Sequence, residues 1–435
     1  MPSTSWGYRA AVQLGVALAP AIGLVDAKVG EGHRNRRGAA ARLASWARAH
    51  RAVGGPLAWF HAASVGEGLQ AESVLSELRR LVPSCQVVYT HFSPSAEPLA
   101  RRLDVDASDY LPYDLPAAVD GLLEALRPDL LVFAKLDLWP ELATRADTRG
   151  TTVALVAATV SEGSGRLRWP ARHAVQAGYA AVTVAGAIAD ADAGRLVRLG
   201  VHADRIRVLG DPRFDSAAAR VAMVSTNDPL LRLGGGARTL VAGSTWPPDE
   251  DVLFDAFARL RSTRPDVRLI VVPHEPTAEH LSACERRARR FELPAPVRLS
   301  NVEGELPPLL VVDRVGVLAT LYGAGGMAYV GGGFGRAGLH SVLEPAAWGV
   351  PVVFGPRWRN SRDAGLLLAS GAGHAITGSR PGVALEERWR IWVDDEAVRS
   401  TEGRRGAEIV ARGLGAARRS AEMLAEIISS RHPRR

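Results

Sequence analysis

Cysteine is almost missing from this chain: Cys85 and Cys284 are the only two in 435 residues. A disulfide scaffold and a cysteine-built zinc site are excluded, and a reducing compartment is implied. Lysine is equally scarce. Lys28 and Lys135 are the only lysines among 53 basic residues, a bias that, with abundant Ala and Gly, fits a GC-rich genome. The candidate membrane span, Ala10–Val25, is 16 residues long and contains Gly15, Pro20 and Gly23. It falls short of the roughly 20 residues that cross a bilayer, and no small-residue cleavage site is evident. There is no solenoid-type repeat. A basic strand interleaved with aromatics, the mark of a nucleic-acid binder, is also absent.

What is present is a chain that is 47% apolar and long enough for two domains. The net charge of +7 points to anionic partners such as a nucleotide or a phospholipid. Trp6 and Tyr8 precede the apolar run, and Lys28, Arg34, Arg36, Arg37, Arg42, Arg48 and Arg51 follow it. That pairing suits insertion into an anionic cytoplasmic leaflet, so residues 1–30 read as a membrane-proximal segment.

From Leu57 onward, strands alternate with helices, which predicts a doubly wound parallel sheet. Strands are expected at Leu57–His61, Gln86–Thr90, Leu130–Ala134, Thr152–Ala157 and Ala181–Ala185, with a helix from about Gly68 to Leu81. A second set is expected at Thr239–Ala242, Arg268–Val272, Leu309–Val312, Met327–Val330 and Val350–Phe354. The glycines at 234–236 mark a break. The predicted organisation is a first Rossmann-like domain over 31–211, a linker over 212–237, and a second such domain over 238–435 that includes the C-terminal helices. Two such halves suggest a glycosyltransferase with the acceptor on the first half, the donor nucleotide on the second, and reaction in a cleft between them.

The second half turns on Tyr329-Val-Gly-Gly-Gly-Phe-Gly-Arg-Ala-Gly338. Strand, glycine loop and a helix starting near His340 would present backbone N–H groups and a helix dipole to an anion. Gly333, Gly335 and Gly338 also spell G-x-G-x-x-G, which keeps an NAD-dependent oxidoreductase open as an alternative. The acidic residue expected about 20 positions later is replaced by Gly355-Pro-Arg-Trp-Arg359. Glu344, one turn into the expected helix, is placed to reach a ribose. Asp190-Ala-Asp192 resembles a metal-binding D-x-D pair but lies in a helical stretch, where acids near the start favour the dipole.

His61-Ala-Ala-Ser-Val-Gly-Glu67 resembles the H-x-x-S-x-G-E motif of bacterial 3-deoxy-D-manno-octulosonic acid (Kdo) transferases, which are two-domain α/β enzymes of the GT-B class. Tyr110-Leu-Pro-Tyr-Asp114, Leu138-Trp-Pro140, Gly243-Ser244, Val330-Gly-Gly332, His340 and Leu343-Glu-Pro345 agree in order. The resemblance covers nearly the whole chain. It implies metal-independent, inverting transfer of Kdo from CMP-Kdo to a lipid A precursor, without a cofactor, at the cytoplasmic face of the inner membrane. It also implies Glu67 as general base and His61, Ser64, Gly66 and Asp137 on the acceptor side. Ser244, Gly331, Gly332, His340, Ser341 and Glu344 would hold the donor.

The chain departs from the family pattern in several places. Lys135-Leu-Asp137 stands where two glutamates flank one residue, Glu141 follows Trp-Pro, and Gly338-Leu-His-Ser341 replaces Gly-Gly-His-Asn. His274-Glu275 stands where an arginine is usual, with Arg314, Arg336, Arg357 and Arg359 as substitutes. These changes leave open a member with an altered donor or acceptor, or one without activity. A basic peripheral membrane protein is the non-enzymatic alternative.

Overall fold

The computed structural model describes residues 4–233, 235–335 and 338–432. Gly234, Arg336 and the last three residues of the basic Arg431–Arg435 end lie outside the described residues. Seven strands form a first sheet: β1 Leu57–His61, β2 Gln86–His91, β3 Ala107–Tyr110, β4 Leu130–Ala134, β5 Thr152–Ala158, β6 Val184–Ala187 and β7 Ile206–Val208. Their order is β3-β2-β1-β4-β5-β6-β7, and every pairing is parallel. A second sheet contains β8 Gly236–Thr245, β9 Arg268–Pro273, β10 Val297–Arg298, β11 Leu309–Val311, β12 Gly325–Val330, β13 Val352–Phe354 and β14 Gly373–Ala375. Its order is β10-β11-β9-β8-β12-β13-β14, again all parallel.

The central strands are continuous apolar runs because helices cover both faces. Trp59, Phe133 and Leu155 face one core of the first sheet, while Phe60, Tyr89 and Val132 face the other. Helix Val65–Leu81 covers the second of these with Ala71, Val74, Leu75 and Leu78, a helical spacing that makes one buried stripe. It begins three residues before the expected Gly68. Ser64 caps it, and Glu67 closes a capping box that satisfies N–H groups left open at a helix start.

The chain divides into two compact units, residues 1–216 with 414–435, and residues 217–413. This corrects the expected domain bounds in two places. The linker expected over 212–237 contains helix Pro212–Ala222, and the division falls inside that helix. The C-terminal helix Ala416–Arg431 belongs to the first unit, because Ala421, Leu424 and Ile428 complete the core on one face of the first sheet.

The amino-terminal segment is a helix, Trp6–Ile22, capped by Ser5. Its polar side is tied to the first unit: Tyr8 donates to Asp114 at 2.8 Å, and Arg9 makes a bidentate pair with Glu141 at 2.8 and 3.0 Å. Its other side leaves Trp6, Leu14, Leu18 and Ile22 exposed. The basic cluster that follows is less available to lipid than its sequence implies. Arg36 is buried over the Phe92 ring and donates to the carbonyls of Leu111 and Phe92, while Arg42 pairs with Asp109. Among the described residues, no helix is long and apolar enough to cross a membrane.

Candidate active site

In the first sheet the strand order reverses between β1 and β4, and open α/β sheets bind ligands beyond the carboxyl ends at such a point. His61 ends β1. Its buried ring places Nδ1 3.0 Å from Thr90 Oγ1 and Nε2 3.3 Å from Asp137 Oδ2. Trp139 Nε1 donates to His61 Nε2 at 3.0 Å and to Asp137 Oδ2 at 3.3 Å. Burial opposes the charge on Asp137, but His61, the Trp139 indole and Arg166 outweigh it and hold the carboxyl below its ordinary range. The carboxylate is thereby fixed in place and ionised.

Glu67 sits in the first turn of the helix that follows β1. Its Oε2 accepts from the Ser64 amide at 3.0 Å and the Ser64 hydroxyl at 2.6 Å. Its Oε1 has Lys135 Nζ 3.8 Å away. The helix cap therefore uses one carboxylate oxygen and, among the described residues, leaves the other without a hydrogen bond. Gly66, beside it, is exposed. Structure thus brings His61, Ser64, Gly66, Glu67 and Asp137 to one rim of the first sheet.

Asp114, from a matching motif, and Glu141, from one of the departures, have structural duties instead. Asp114 accepts the amides of Glu141 and Leu142 at the start of helix Pro140–Thr148. Burial raises its pKa to about 6. Glu141 is fully buried between Arg9 and Arg145. Likewise, Asp192 accepts from the Val160 amide and the Thr159 hydroxyl within the first unit, so the D-x-D match is part of the packing. Among the described residues, no group of three or more His, Cys, Asp or Glu side chains could hold a metal ion.

The second sheet reverses between β8 and β12. Ser244, near the end of β8, takes a left-handed φ of +54°, a conformation costly for a residue with a Cβ and common at functional sites. Gly331 follows β12 so closely that a Cβ would overlap the Ser244 carbonyl. Gly332, at φ +92°, would strike the Gly338 carbonyl in the same way. These close approaches explain the glycines without any ligand.

The loop is also less open than its sequence implies. The Gly332 amide donates at 2.9 Å to the buried carboxylate of Asp249, which also accepts from Tyr329 at 2.7 Å and the Trp246 amide at 3.0 Å. The Gly331 amide donates to Gly243, and that of Gly335 to Gly332. The expected helix near His340 is also corrected: Leu343–Ala347 is a five-residue helix starting three residues later. Pro345 and Gly349 leave little room for a longer one. Among the described residues, the G-x-G-x-x-G match is followed only by this five-residue helix, not by the extended helix that backs a dinucleotide site.

Side chains supply the remaining polarity. His340 Nε2 accepts from Trp246 Nε1 at 3.1 Å, and its ring stacks on His274 at 4.3 Å. Burial, with His274 adding to it, lowers the His340 pKa to about 4, so the ring is neutral. Ser341 is exposed, and Glu344 is paired with Arg220 at 2.6 Å. Of the substitute arginines, Arg357 Nη1 donates to the Gly335 carbonyl at 3.1 Å and so braces the loop. Sequence reasoning missed Asp249, Trp246 and Arg220, which make the closest contacts to this group. Only Asp249 carried a signal, as an acid in the first turn of helix Pro247–Thr263.

A family model described as 3-deoxy-D-manno-octulosonic-acid transferase (kdotransferase) matches residues 33–216. A Kdo transferase from Bordetella pertussis is 29% identical over 398 residues, covering 87% of this chain and 89% of the relative. The corresponding protein of Haemophilus influenzae is 25% identical over 378 residues, covering 84% and 86%. Among solved structures, a UDP-N-acetylglucosamine 2-epimerase has a TM-score of 0.61 at 14% identity, covering 87% of this chain and 97% of that one. The epimerase of Neisseria meningitidis bound to UDP-GlcNAc has a TM-score of 0.59 at 11% identity, covering 86% and 99%. Two doubly wound parallel sheets, each with polar side chains at its point of reversal, define an α/β protein of the GT-B class. Sequence relatives narrow that class. Residues 33–216 match the Kdo transferase family model, and the chain is similar over most of its length to Kdo transferases, which are glycosyltransferases.

Proposed function

We propose that this chain transfers Kdo from CMP-Kdo to a lipid A precursor in lipopolysaccharide core synthesis, with Glu67 as general base and without a metal. The observation that carries the reading is the state of the Glu67 carboxylate. One oxygen is fixed by Ser64, which sets its direction, and among the described residues the other is left without a hydrogen-bond donor. Such a group can take a proton from an acceptor hydroxyl as that oxygen attacks the anomeric carbon. The bond from that carbon to the CMP phosphate breaks, and the electron pair leaves on the phosphate oxygen. Ser244, His340 and Ser341 are the donor-side candidates for receiving it, together with the backbone at Gly331 and Gly332. Glu344 is the candidate for the ribose.

Purified protein incubated with CMP-Kdo and a tetra-acylated lipid A precursor is expected to form product equally with and without EDTA. Product that requires added Mg²⁺ would reject the metal-free reaction, and no product under either condition would reject the donor and acceptor.

The same reading places the protein peripherally at the cytoplasmic face of the inner membrane through the exposed side of helix Trp6–Ile22. Trp6 and Leu14 are 83% and 60% exposed there. Replacing either by Asp is expected to weaken sedimentation with anionic vesicles by about tenfold, since burying one large apolar side chain contributes roughly 1.5–3 kcal/mol. Unchanged binding would exclude this helix as the contact.

A further inference from the structure

Glu344, the candidate for the ribose, is itself held. Arg220 Nη1 donates to its Oε1 at 2.6 Å. Arg220 lies on the part of helix Pro212–Ala222 that belongs to the second unit, as Glu344 does. The Glu344 side chain is 14% exposed and that of Arg220 39%, so the acid is nearly enclosed while the cation reaches solvent. The acid also neighbours the turn that ends β8. Burial, and after it the charge on Glu344, pushes the Tyr322 hydroxyl well above its ordinary range. That hydroxyl packs so closely on Gly243 that a Cβ there would lie 2.0 Å from it, and Gly243 directly precedes the left-handed Ser244. An ion pair whose cation reaches solvent contributes little to stability. Its effect on direction is larger. A carboxylate can accept about four hydrogen bonds, so the one from Arg220 restrains the group and leaves acceptor capacity for a ligand.

We propose that Arg220 is a positioning residue that aims the Glu344 carboxylate at the ribose hydroxyls of the donor nucleotide, and so sets the preference of the site for a ribonucleotide over one lacking those hydroxyls. This deepens the proposed function and rests on its assignment of Glu344. A carboxylate placed to accept from a ribose hydroxyl discriminates against a sugar without one, because the acceptor is then left without its donor. The discrimination depends on aim, since hydrogen bonds weaken steeply away from their preferred angle. Released from Arg220, Glu344 keeps its charge but spreads over other rotamers, and the distinction is lost. Arg220 acts through Glu344 and does not have to touch the nucleotide. Lysine at this position would keep a positive charge nearby, but as a compact point without the planar fork of a guanidinium, and should aim less well.

The test measures, by calorimetry, the binding of CMP and of 2′,3′-dideoxy-CMP to the parent chain, Arg220→Ala, Arg220→Lys and Glu344→Ala. The parent is expected to bind CMP about tenfold or more tighter, the usual weight of a hydrogen bond to a charged group. Glu344→Ala should abolish that preference, Arg220→Ala should cut it to about twofold, and Arg220→Lys should keep an intermediate value. The dideoxy nucleotide should bind the parent and Arg220→Ala alike, and their Tm values should lie close together, which separates aim from folding. With CMP-Kdo as substrate, Arg220→Ala should raise the donor KM more than it lowers kcat and leave the acceptor KM unmoved. An Arg220→Ala chain that keeps the parent's preference, binds CMP more tightly, or loses both nucleotides equally would overturn the proposal. Glu344→Ala separates the two levels of the argument. A preference absent from the parent, or surviving in Glu344→Ala, overturns the ribose assignment and the proposal with it. A preference lost in Glu344→Ala but kept in Arg220→Ala overturns the positioning role alone. Arg220-dependent discrimination without Kdo transfer would keep the positioning role and reject the reaction assigned above.

Discussion

Replacing Glu67 with Gln is expected to lower Kdo transfer by at least about 10²-fold, and by as much as about 10⁴-fold, the range for a positioned acid or base. The same substitution leaves thermal stability close to that of the parent chain. Both halves of the result follow from how the carboxylate is divided. Glutamine at the third helical position still closes a capping box, because its carbonyl accepts the Ser64 amide. What it lacks is an oxygen able to keep a proton. Ser64→Ala supplies the converse: it removes the hydroxyl that holds Oε2 and costs about 1 kcal/mol of stability, with a loss of activity that reflects misdirection of the base. If Glu67→Gln retained full turnover, the residue would be a cap and nothing more. Kinetics and a melting curve on the two variants decide the matter.

The second large effect is a loss of stability in acid that traces to His91. This residue ends β2 with its ring buried against Tyr110 at 4.2 Å, and among the described residues neither ring nitrogen has a hydrogen-bond partner. Burial lowers its pKa to about 4; Glu97 and Asp109 pull upward, while His61 and Arg36 push down. The folded-state pKa is thus below the unfolded value near 6.5. From about pH 6.5 down to about pH 4, the unfolded chain binds a proton that the folded chain refuses, so stability falls as pH falls. The shift corresponds to about 3 kcal/mol, fully present above pH 6.5 and lost by about pH 4. His91→Leu removes the titration and two orphaned polar atoms, so its Tm should drop less than the parent's across that window. His340, lowered to about 4 in the second unit, adds a slope of the same sign there. A parent chain equally stable at pH 7 and pH 4.5 would contradict both assignments.

Much of this was legible in the sequence, and the limits have physical causes. Parallel strands announce themselves as short apolar runs, so β1, β4, β9 and β12 could be placed within a residue or two. Glu67 was singled out by the resemblance of His61–Glu67 to a family motif, whereas its cap on Ser64, three residues away, emerged only in the structure. Asp249 was not legible, since its partners Tyr329 and Gly332 lie 80 and 83 residues away, and nothing in a glycine run shows that one of its amides already has an acceptor. The helix expected at His340 failed for a related reason. The His340 amide donates to the Gly331 carbonyl, back into the loop, rather than into a helix. Arg36 misled in the opposite direction: a charge run reads as a solvated face, but three aromatic rings, Phe92, Tyr110 and Tyr113, surround this guanidinium. Tertiary contacts, which composition does not encode, decided each of these cases.

Helix Ala416–Arg431 carries one more consequence. The core built on β1, β2 and β4 needs Ala421, Leu424 and Ile428 to close one of its faces, so the part of the molecule that leaves the ribosome first is finished last. Until the final twenty or so residues arrive, that apolar surface has no cover, while residues 217–413 already contain all of their own unit. A stop codon late in the gene would therefore damage the half encoded at its beginning.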